Sequence, residues 1–465
     1  MNTPHAALVP FYLKLYDDVQ PQRRQAFDPF LKTVADALGM QGVAVRTAPV
    51  CRVAGEFAAA VAQAEREGAD CLVTLHLAYS PSLEALDVFR ATPLPVVILD
   101  TTMDARFGVG VSPERIMYNH GIHGVMDFAS MLRRVKRLFD IVAGSVEDPG
   151  FFVRAADHIR AAAAARSLRG SRVLRVGHAF AGMGDFAVPE AVMRDRLGVA
   201  VEQAGLDALD HETTAAGDAE VAAEIAADRE RYRCELPQET HARSVRVGLG
   251  LRRLLEKGGY GGFSVNFQAF DSADRPSNTM PFLEISKAMA RGVGYGGEGD
   301  VLTAALVGAL ARAFGATTFT EIFCADWAGD ALFLSHMGEI SPAVAADMPR
   351  LVERPFIFGG AKNPAVLTCA VRPGPATFVN LAPGPDNTFT LLVAPVSVLS
   401  ETDAVAPAMR DAVRAWISIA GGVAPFLEAY SRAGGTHHSA LVLGDRADAI
   451  AAFGRLAGLD ALRLG

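Results

Sequence analysis

The sequence predicts an α/β protein with two parallel-sheet, Rossmann-like domains followed by a C-terminal antiparallel, β-rich domain of barrel-like type. In the first third of the chain, short apolar runs alternate with stretches of helical periodicity, which is typical of a parallel sheet covered by helices. After residue 314, apolar runs follow one another with Pro and Gly turns between them, as in an antiparallel sheet or small barrel. These patterns predict an N-terminal domain over 1–169, a central domain over 170–314 and a C-terminal domain over 315–465.

The N-terminal domain is predicted to contain a parallel sheet. Its strands cover Ala6–Tyr12, Val43–Ala48, Cys71–Leu77 and Val96–Asp100, and its helices cover Arg23–Leu38, Glu56–Glu67, Ser82–Arg90, Phe128–Ala143 and Phe152–Ser167. Ligands of such sheets gather beyond the carboxyl ends of the strands. Lys14 and His76 are therefore expected on the functional edge of this domain.

Two histidines three residues apart, His120 and His123, precede the helix predicted from Phe128. Each is followed by glycine. The pattern leaves three interpretations open: metal ligands, substrate contacts, or a turn at the entry of the helix.

The central and C-terminal domains are predicted from the same kinds of pattern. The central strands cover Ser171–Val176 and Phe263–Phe267, and the central helices cover Ala219–Arg233, Ala242–Glu256, Phe282–Arg291 and Val301–Phe314. The C-terminal strands cover Thr317–Phe323, Leu332–Met337, Ala365–Arg372, Ala376–Leu381 and Thr388–Leu399, with helices over Ala408–Ala420 and Ala447–Leu456. The loop 177–186 consists mainly of small residues and holds His178, Met183 and Asp185, so it is suited to lining a cavity. It lacks the GxGxxG spacing, and a nicotinamide cofactor is not expected.

Composition and charge narrow the function classes. A net charge of −8 argues against a broad nucleic-acid surface, and no apolar run has the length of a membrane span. The five cysteines are scattered without a CxxC pair, so neither a disulfide framework nor a zinc cluster is indicated. We expect a cytoplasmic protein without nucleic-acid or membrane partners.

Four sites in the second half of the chain carry candidate metal ligands. Glu298 lies among glycines before an apolar helix, Glu321 and His336 lie inside apolar strands, and His437 and His438 are adjacent. An ionisable group in an apolar strand is costly unless it is paired or bound to a metal. Two carboxylates and two imidazoles suit Mn²⁺, with Co²⁺ or Mg²⁺ as alternatives. For each residue alone, a helix-entry turn or a hydrogen-bonded core histidine stays open.

These sites, in this order, resemble the L-arabinose isomerase and L-fucose isomerase family, and the resemblance is clearest with the arabinose isomerase branch. The motifs that carry it are Gly296-Gly297-Glu298-Gly299-Asp300, Phe319-Thr320-Glu321, Ser335-His336-Met337-Gly338-Glu339 and Ala433-Gly434-Gly435-Thr436-His437-His438. The resemblance extends more weakly over most of the chain from residue 117 onward.

The resemblance implies a metal-dependent enzyme that interconverts an aldose and a ketose through an enediol. The implied metal ligands are Glu298, Glu321, His336 and His438, and the two glutamates would also act as the acid/base pair. The resemblance further implies a homotrimer or homohexamer with active sites at subunit interfaces, where His120 would reach into a neighbouring subunit's site.

The chain departs from arabinose isomerase where the sugar should be selected. The segment Val9–Tyr16 and the run Gly121-Ile122-His123-Gly124 both differ from that enzyme. The expected substrate is therefore a small-molecule pentose or hexose, with 6-modified sugars included. Lys14 and His123 are expected to contact a polar or anionic end of a hexose, and His76, Met183 and His437 are further expected substrate contacts. A sugar epimerase on the same metal site, or a non-catalytic sugar-binding protein of the same fold, are the alternatives.

Overall fold

The computed structural model describes residues 3–401 and 405–465. The chain forms two compact units. The first unit consists of the residues up to 166 together with 448–458, and the second consists of 167–447 together with 459–465. The domain boundaries at 169 and 314 stay predictions. Within the described ranges, no helix is both long and apolar enough to cross a membrane.

The first unit is built around a five-stranded parallel sheet, as predicted. Its strands are β1 His5–Phe11, β2 Ala44–Thr47, β3 Cys71–His76, β4 Val96–Asp100 and β5 Asp140–Ala143. Its helices are α1 Lys14–Val19, α2 Gln22–Gln25, α3 Asp28–Met40, α4 Ala54–Arg66, α5 Leu83–Ala91, α6 Gly121–Arg134 and α7 Pro149–Arg169, with a 3₁₀ turn over Pro113–Tyr118. The strand order is β2-β1-β3-β4-β5, and every pair is parallel.

Two helices predicted for this unit are wrong in extent. The helix over 23–38 is divided, because Pro29 lies in the first turn of α3 and its ring is accommodated only where a helix starts. The helix over 128–143 begins earlier, at Gly121, and ends at Arg134, beyond which Lys136 takes a left-handed φ of 56°. The residues after it form β5 at the edge of the sheet instead of continuing the helix.

The second unit begins with a smaller parallel sheet. The elements up to residue 314 are β6 Arg172–Val176, α8 Glu190–Val192, β7 Ala200–Ala204, α9 Leu206–Thr214, α10 Asp218–Arg231, β8 Arg233–Glu235, α11 Gln238–Gly258, β9 Gly262–Val265, α12 Phe282–Ala290, β10 Gly294–Gly297 and α13 Val301–Phe314, with a π turn over Met193–Leu197 and a 3₁₀ turn over Phe267–Ala269. The sheet order is β10-β9-β6-β7, and all pairs are parallel. Sequence patterns did not predict β7 and α9.

The glycines of β10 are explained by close packing. A Cβ atom at Gly294 would overlap the carbonyl oxygen of Ala304, and one at Gly296 would overlap that of Asp300. Both carbonyls belong to α13 or its N-cap, so this helix lies directly against the strand. Glycine is needed here for the approach of two backbones.

Six of the remaining strands of the second unit form a closed antiparallel barrel, in agreement with the barrel-like prediction. The elements after residue 314 are β11 Thr317–Asp326, β12 Ala331–Ser335, β13 Arg350–Glu353, β14 Ala365–Thr368, β15 Gly374–Pro383, β16 Phe389–Val398, β17 Ala415–Ile419, α14 Val423–Arg432, β18 His438–Leu443, α15 Ala447–Ala457 and β19 Asp460–Arg463, with 3₁₀ turns over Pro342–Val344, Pro385–Asn387 and Pro407–Asp411. The barrel order is β15-β18-β11-β12-β17-β16, and β16 pairs with β15 to close the ring. β19 adds to β16 in parallel, while β14, β13 and β8 form a separate small sheet.

The helix predicted over 408–420 is wrong. Residues 415–419 form β17, which bridges β12 and β16 and completes the barrel. Its burial alternates along the strand, with Ala415, Ile417 and Ile419 buried and the intervening Trp416 and Ser418 half-buried. Period-two burial and β-branched residues favour a strand once partners exist on both sides.

Candidate metal centre

Strand register brings the candidate ligands of the second unit together. Glu321 on β11 lies opposite His438 on β18 and, on its other side, opposite Ser335 at the end of β12. His336 follows Ser335 directly. Glu298 comes from the turn between β10 and α13, where it takes a left-handed φ of 59°.

The side chains of these residues converge. Nε2 of His438 lies 3.0 Å from Oε1 of Glu321 and 3.5 Å from Oε2 of Glu298. Nε2 of His336 lies 3.7 Å from the same oxygen of Glu321. Glu321 therefore lies beside both His336 and His438, and Glu298 lies beside His438, while the role of all four as ligands stays a prediction.

A third imidazole, that of His437, lies beside this group. Its Nε2 is 3.6 Å from Oε1 of Glu321 and 3.9 Å from Oε2 of Glu298. One ligand atom from each of Glu298, Glu321, His437 and His438 lies within 4.8 Å of the others. The His437 side chain is 38% exposed and that of His438 is 0% exposed, so His437 is the member that solvent or a substrate can reach.

Each of the three histidines is held by a carboxylate through Nδ1. Nδ1 of His438 is 2.9 Å from Asp300, Nδ1 of His336 is 2.6 Å from Glu339, and Nδ1 of His437 is 2.6 Å from Asp185. A carboxylate on one ring nitrogen fixes the tautomer and leaves the other nitrogen free as a ligand. In all three rings the free nitrogen is Nε2, which faces Glu321 or Glu298.

Sequence analysis did not assign these supporting carboxylates. Asp300 and Glu339 lie inside the motifs, two and three residues from a candidate ligand, and that short spacing was the available signal. Asp300 also caps α13, because its Oδ1 accepts a hydrogen bond from the amide of Thr303 at 2.9 Å. Asp185 is 252 residues from His437 along the chain, and no local pattern connects the two.

The electrostatics of the cluster favour added positive charge. Burial raises the pKa of the Glu298 carboxyl, but His437 and His438 outweigh it and hold this pKa well below its usual range. Burial lowers the pKa of His438, yet its hydrogen bond to Asp300 and the negative charges of the two nearby glutamates raise it well above the ordinary value. For His437, Asp185 likewise outweighs burial and raises the pKa to about 9.

The residues present fit a divalent cation. Nε2 of His438 is buried and has no hydrogen-bond partner among the described residues, since its approach to Glu321 lacks hydrogen-bond geometry. A buried nitrogen without a partner is costly unless a ligand completes it. The surrounding carboxylates are those of Glu298, Glu321, Asp300, Glu339 and Asp185, and they outnumber the three imidazoles. Mixed carboxylate and imidazole donors suit Mn²⁺.

The loop 177–186 borders this centre. The amide of Phe180 donates to the carbonyl of Glu298 at 2.9 Å, and the ring of Phe186 stacks on His438 with centroids 5.0 Å apart. Met183, a predicted substrate contact, is half-buried on this loop. Its contact with substrate stays a prediction.

The other predicted substrate contacts lie in the first unit. Lys14 is exposed and pairs with Asp18 at 2.7 Å. His120 occupies the N-cap position of α6 without a capping side-chain bond, and its Nε2 is 3.0 Å from the hydroxyl of Tyr16, while His123 is exposed on the same helix. These contacts stay predictions.

His76 is buried at the end of β3. Its Nδ1 is 3.0 Å from the hydroxyl of Ser80, and its ring packs against Phe11 and Phe128. Burial lowers the pKa of His76 to about 3, so the ring is neutral. Its part in substrate binding stays a prediction.

Comparison with known proteins identifies the family. A model of the L-arabinose isomerase central domain matches residues 172–315, and a model of the L-arabinose isomerase C-terminal domain matches residues 316–460. An L-arabinose isomerase of Herpetosiphon aurantiacus is 27% identical over 83% of this chain and 78% of its own length. Those of a Nocardioides species and of Mycolicibacterium smegmatis are 31% and 27% identical, over 70% and 84% of this chain and 66% and 80% of their own lengths. The chain belongs to the L-arabinose isomerase family, as a divergent member.

Proposed function

We propose that this protein is an aldose–ketose isomerase that uses a divalent cation, Mn²⁺ in the first place and Co²⁺ or Mg²⁺ as alternatives. The observation that carries the proposal is the convergence of three histidines, each fixed through Nδ1 by a carboxylate, on Glu298 and Glu321. Membership of a family whose named relatives are L-arabinose isomerases supports the same reaction class.

The residues that would hold the cation are Glu298, Glu321, His336 and His438. When bound, the cation polarises the carbonyl and the neighbouring hydroxyl of the sugar. Asp300 and Glu339 hold the two imidazoles in one tautomer and orientation, so the site is organised before any ligand arrives.

Proton transfer between C1 and C2 requires a base and an acid near both carbons. Glu298 and Glu321 are the candidates, since their side chains are only 15% and 11% exposed and both approach Nε2 of His438. In our proposal one carboxylate takes the proton from C2 of the aldose and a proton is returned to C1 of the resulting enediol, while the hydroxyl proton of O2 is transferred to O1. The lowered pKa of Glu298 keeps this carboxylate ionised, as a ligand of the cation must be.

We further propose a pentose or hexose as substrate and a cytoplasmic homotrimer or homohexamer as the working form. The assembly follows from the family resemblance alone. Light scattering of the purified protein measures it directly, and a monomer at assay concentration would contradict it.

The test of the reaction uses protein stripped with a chelator and reloaded with Mn²⁺, Co²⁺ or Mg²⁺. Each form is assayed for ketose formation from a panel of pentoses and hexoses. We expect turnover only after metal is restored, and loss of turnover in Glu298→Gln with metal still bound. Glu428→Gln, an exposed glutamate paired with Arg432, is the matched control and should keep full activity. Full turnover by Glu298→Gln would refute the proposed role, and a C2 epimer as product would assign the site to epimerisation.

A further inference from the structure

The second unit contains a cavity of about 160 Å³ that borders the candidate metal centre. Its lining includes Glu298 and His336, so a ligand in the cavity would reach that centre. The rest of the lining is mainly apolar, with side chains such as Phe267, Phe282 and Phe356. Walls of this kind contact the C–H faces of a sugar and leave recognition to a few polar groups.

The positively charged guanidinium group of Arg354 also lines the cavity. This side chain is half-buried. Within residues 3–401 and 405–465 it forms no hydrogen bond or ion pair, although Glu339 and Asp411 act on it electrostatically from farther away. The nearby carboxylates are already engaged, Glu339 by His336 and Tyr295, and Asp411 by Arg350.

The backbone holds Arg354 in place. It follows directly on β13, and its amide donates to the carbonyl of Pro364 at 3.1 Å, just before β14. The loop between them is fixed by Asn363, whose side chain accepts from the amide of Phe356 at 3.0 Å and donates to Glu353 at 3.1 Å. Arg354 therefore lies at the start of a loop that is held by hydrogen bonds.

We propose that Arg354 is a specificity residue that binds an anionic group of the substrate, so that the preferred substrate is an aldose carrying a carboxylate or a phosphate away from the reacting carbons. Because the guanidinium of Arg354 has no partner among the described residues, its donors are available to a ligand, and a bidentate oxyanion is the ligand that best matches its geometry. This inference rests on the proposed isomerase function and names its substrate class.

The test compares hexoses that share the C2–C4 configuration of L-arabinose and differ at C6. These are D-fucose, D-galactose, D-galacturonate and D-galactose 6-phosphate, each assayed with Mn²⁺-loaded protein. We expect kcat/KM for at least one anionic sugar to exceed that for D-galactose. In Arg354→Gln this preference should fall about 10- to 100-fold, the range of one charge-assisted contact. Arg354→Lys should retain part of this preference. Comparison of D-galacturonate with D-galactose 6-phosphate shows whether the site binds a carboxylate or a phosphate.

The matched control is Arg372→Gln, which removes an exposed guanidinium that, among the described residues, donates only to the carbonyl of Ala343. It should keep the preference of the parent protein. A preference for the neutral sugars, or an anion preference equal in Arg354→Gln and the parent, would overturn the inference while leaving the isomerase function intact.

If no aldose is turned over, the proposed function fails and the inference is decided by binding alone. Calorimetry with galactitol and galactitol 6-phosphate, which cannot isomerise, then compares the parent with Arg354→Gln. Tighter binding of the phosphate that is lost in the variant supports the anion site. Equal binding of the two ligands, or no binding of either, overturns it.

Discussion

Replacing Glu339 by Gln should weaken metal binding without unfolding the protein. Glu339 is 1% exposed and accepts three hydrogen bonds, from Nδ1 of His336 at 2.6 Å, the amide of Gly338 at 2.9 Å and the hydroxyl of Tyr295 at 2.9 Å. Glutamine preserves the shape of the side chain and one acceptor oxygen, but it removes the negative charge that holds His336.

The magnitude follows from the loss of charge assistance. A hydrogen bond to a charged group contributes about 1.5–3 kcal/mol and one between neutral groups about 0.5–1.5 kcal/mol. The weakened bond to His336 therefore costs about 1–1.5 kcal/mol, or roughly tenfold in Mn²⁺ affinity. The lost negative charge near the cation adds to this, so we expect a decrease of about 10- to 100-fold.

The assay is calorimetric titration of Mn²⁺ into chelator-stripped protein, with thermal unfolding as the check on folding. The control is Glu212→Gln, which changes another buried glutamate, one that accepts from Lys257 at 2.6 Å and contacts no histidine of the centre. A dissociation constant for Glu339→Gln within twofold of the parent, in a protein that unfolds normally, would refute the role assigned to Glu339.

Three further perturbations test other features. The pKa of His76 is lowered to about 3, so between about pH 6.5 and 3 the unfolded chain binds a proton at this residue and the folded protein does not. The free energy of unfolding is therefore unaffected by His76 above about pH 6.5 and decreases as the pH drops toward 3, by up to about 1.4 kcal/mol per pH unit. Urea unfolding of His76→Phe between pH 6 and 4 should show a flatter pH dependence than the parent, and equal slopes would contradict this. Asp300→Ala should lose about 1 kcal/mol of stability through the helix cap and also weaken Mn²⁺ binding through His438; a change in only one of the two measurements would contradict the double role. Gly294→Ala should destabilise the protein by about 3 kcal/mol through overlap with α13, and an unchanged thermal midpoint would show that the strand and helix can separate.

The sequence was sufficient for the features that depend on local pattern. Alternating runs predicted the parallel sheets, and ionisable residues in apolar strands singled out Glu321 and His336. It was insufficient where distant partners decide. Residues 415–419 form a strand only because β12 and β16 lie on either side, and Asp185 meets His437 across 252 residues. Arg354 gave no signal, because its lack of a partner is visible only once the cavity around it is assembled.

The helix α15 has a consequence for the synthesis of the protein. Residues 448–458 belong to the first compact unit, where Arg455 contacts Asp140 at 3.2 Å, although residues 167–447 of the second unit separate them from the rest of the first in the sequence. Domains generally fold in order as the chain leaves the ribosome. The N-terminal unit must wait for its last helix until almost the whole chain has been translated, so its final assembly is a late event of folding even though most of it is made first.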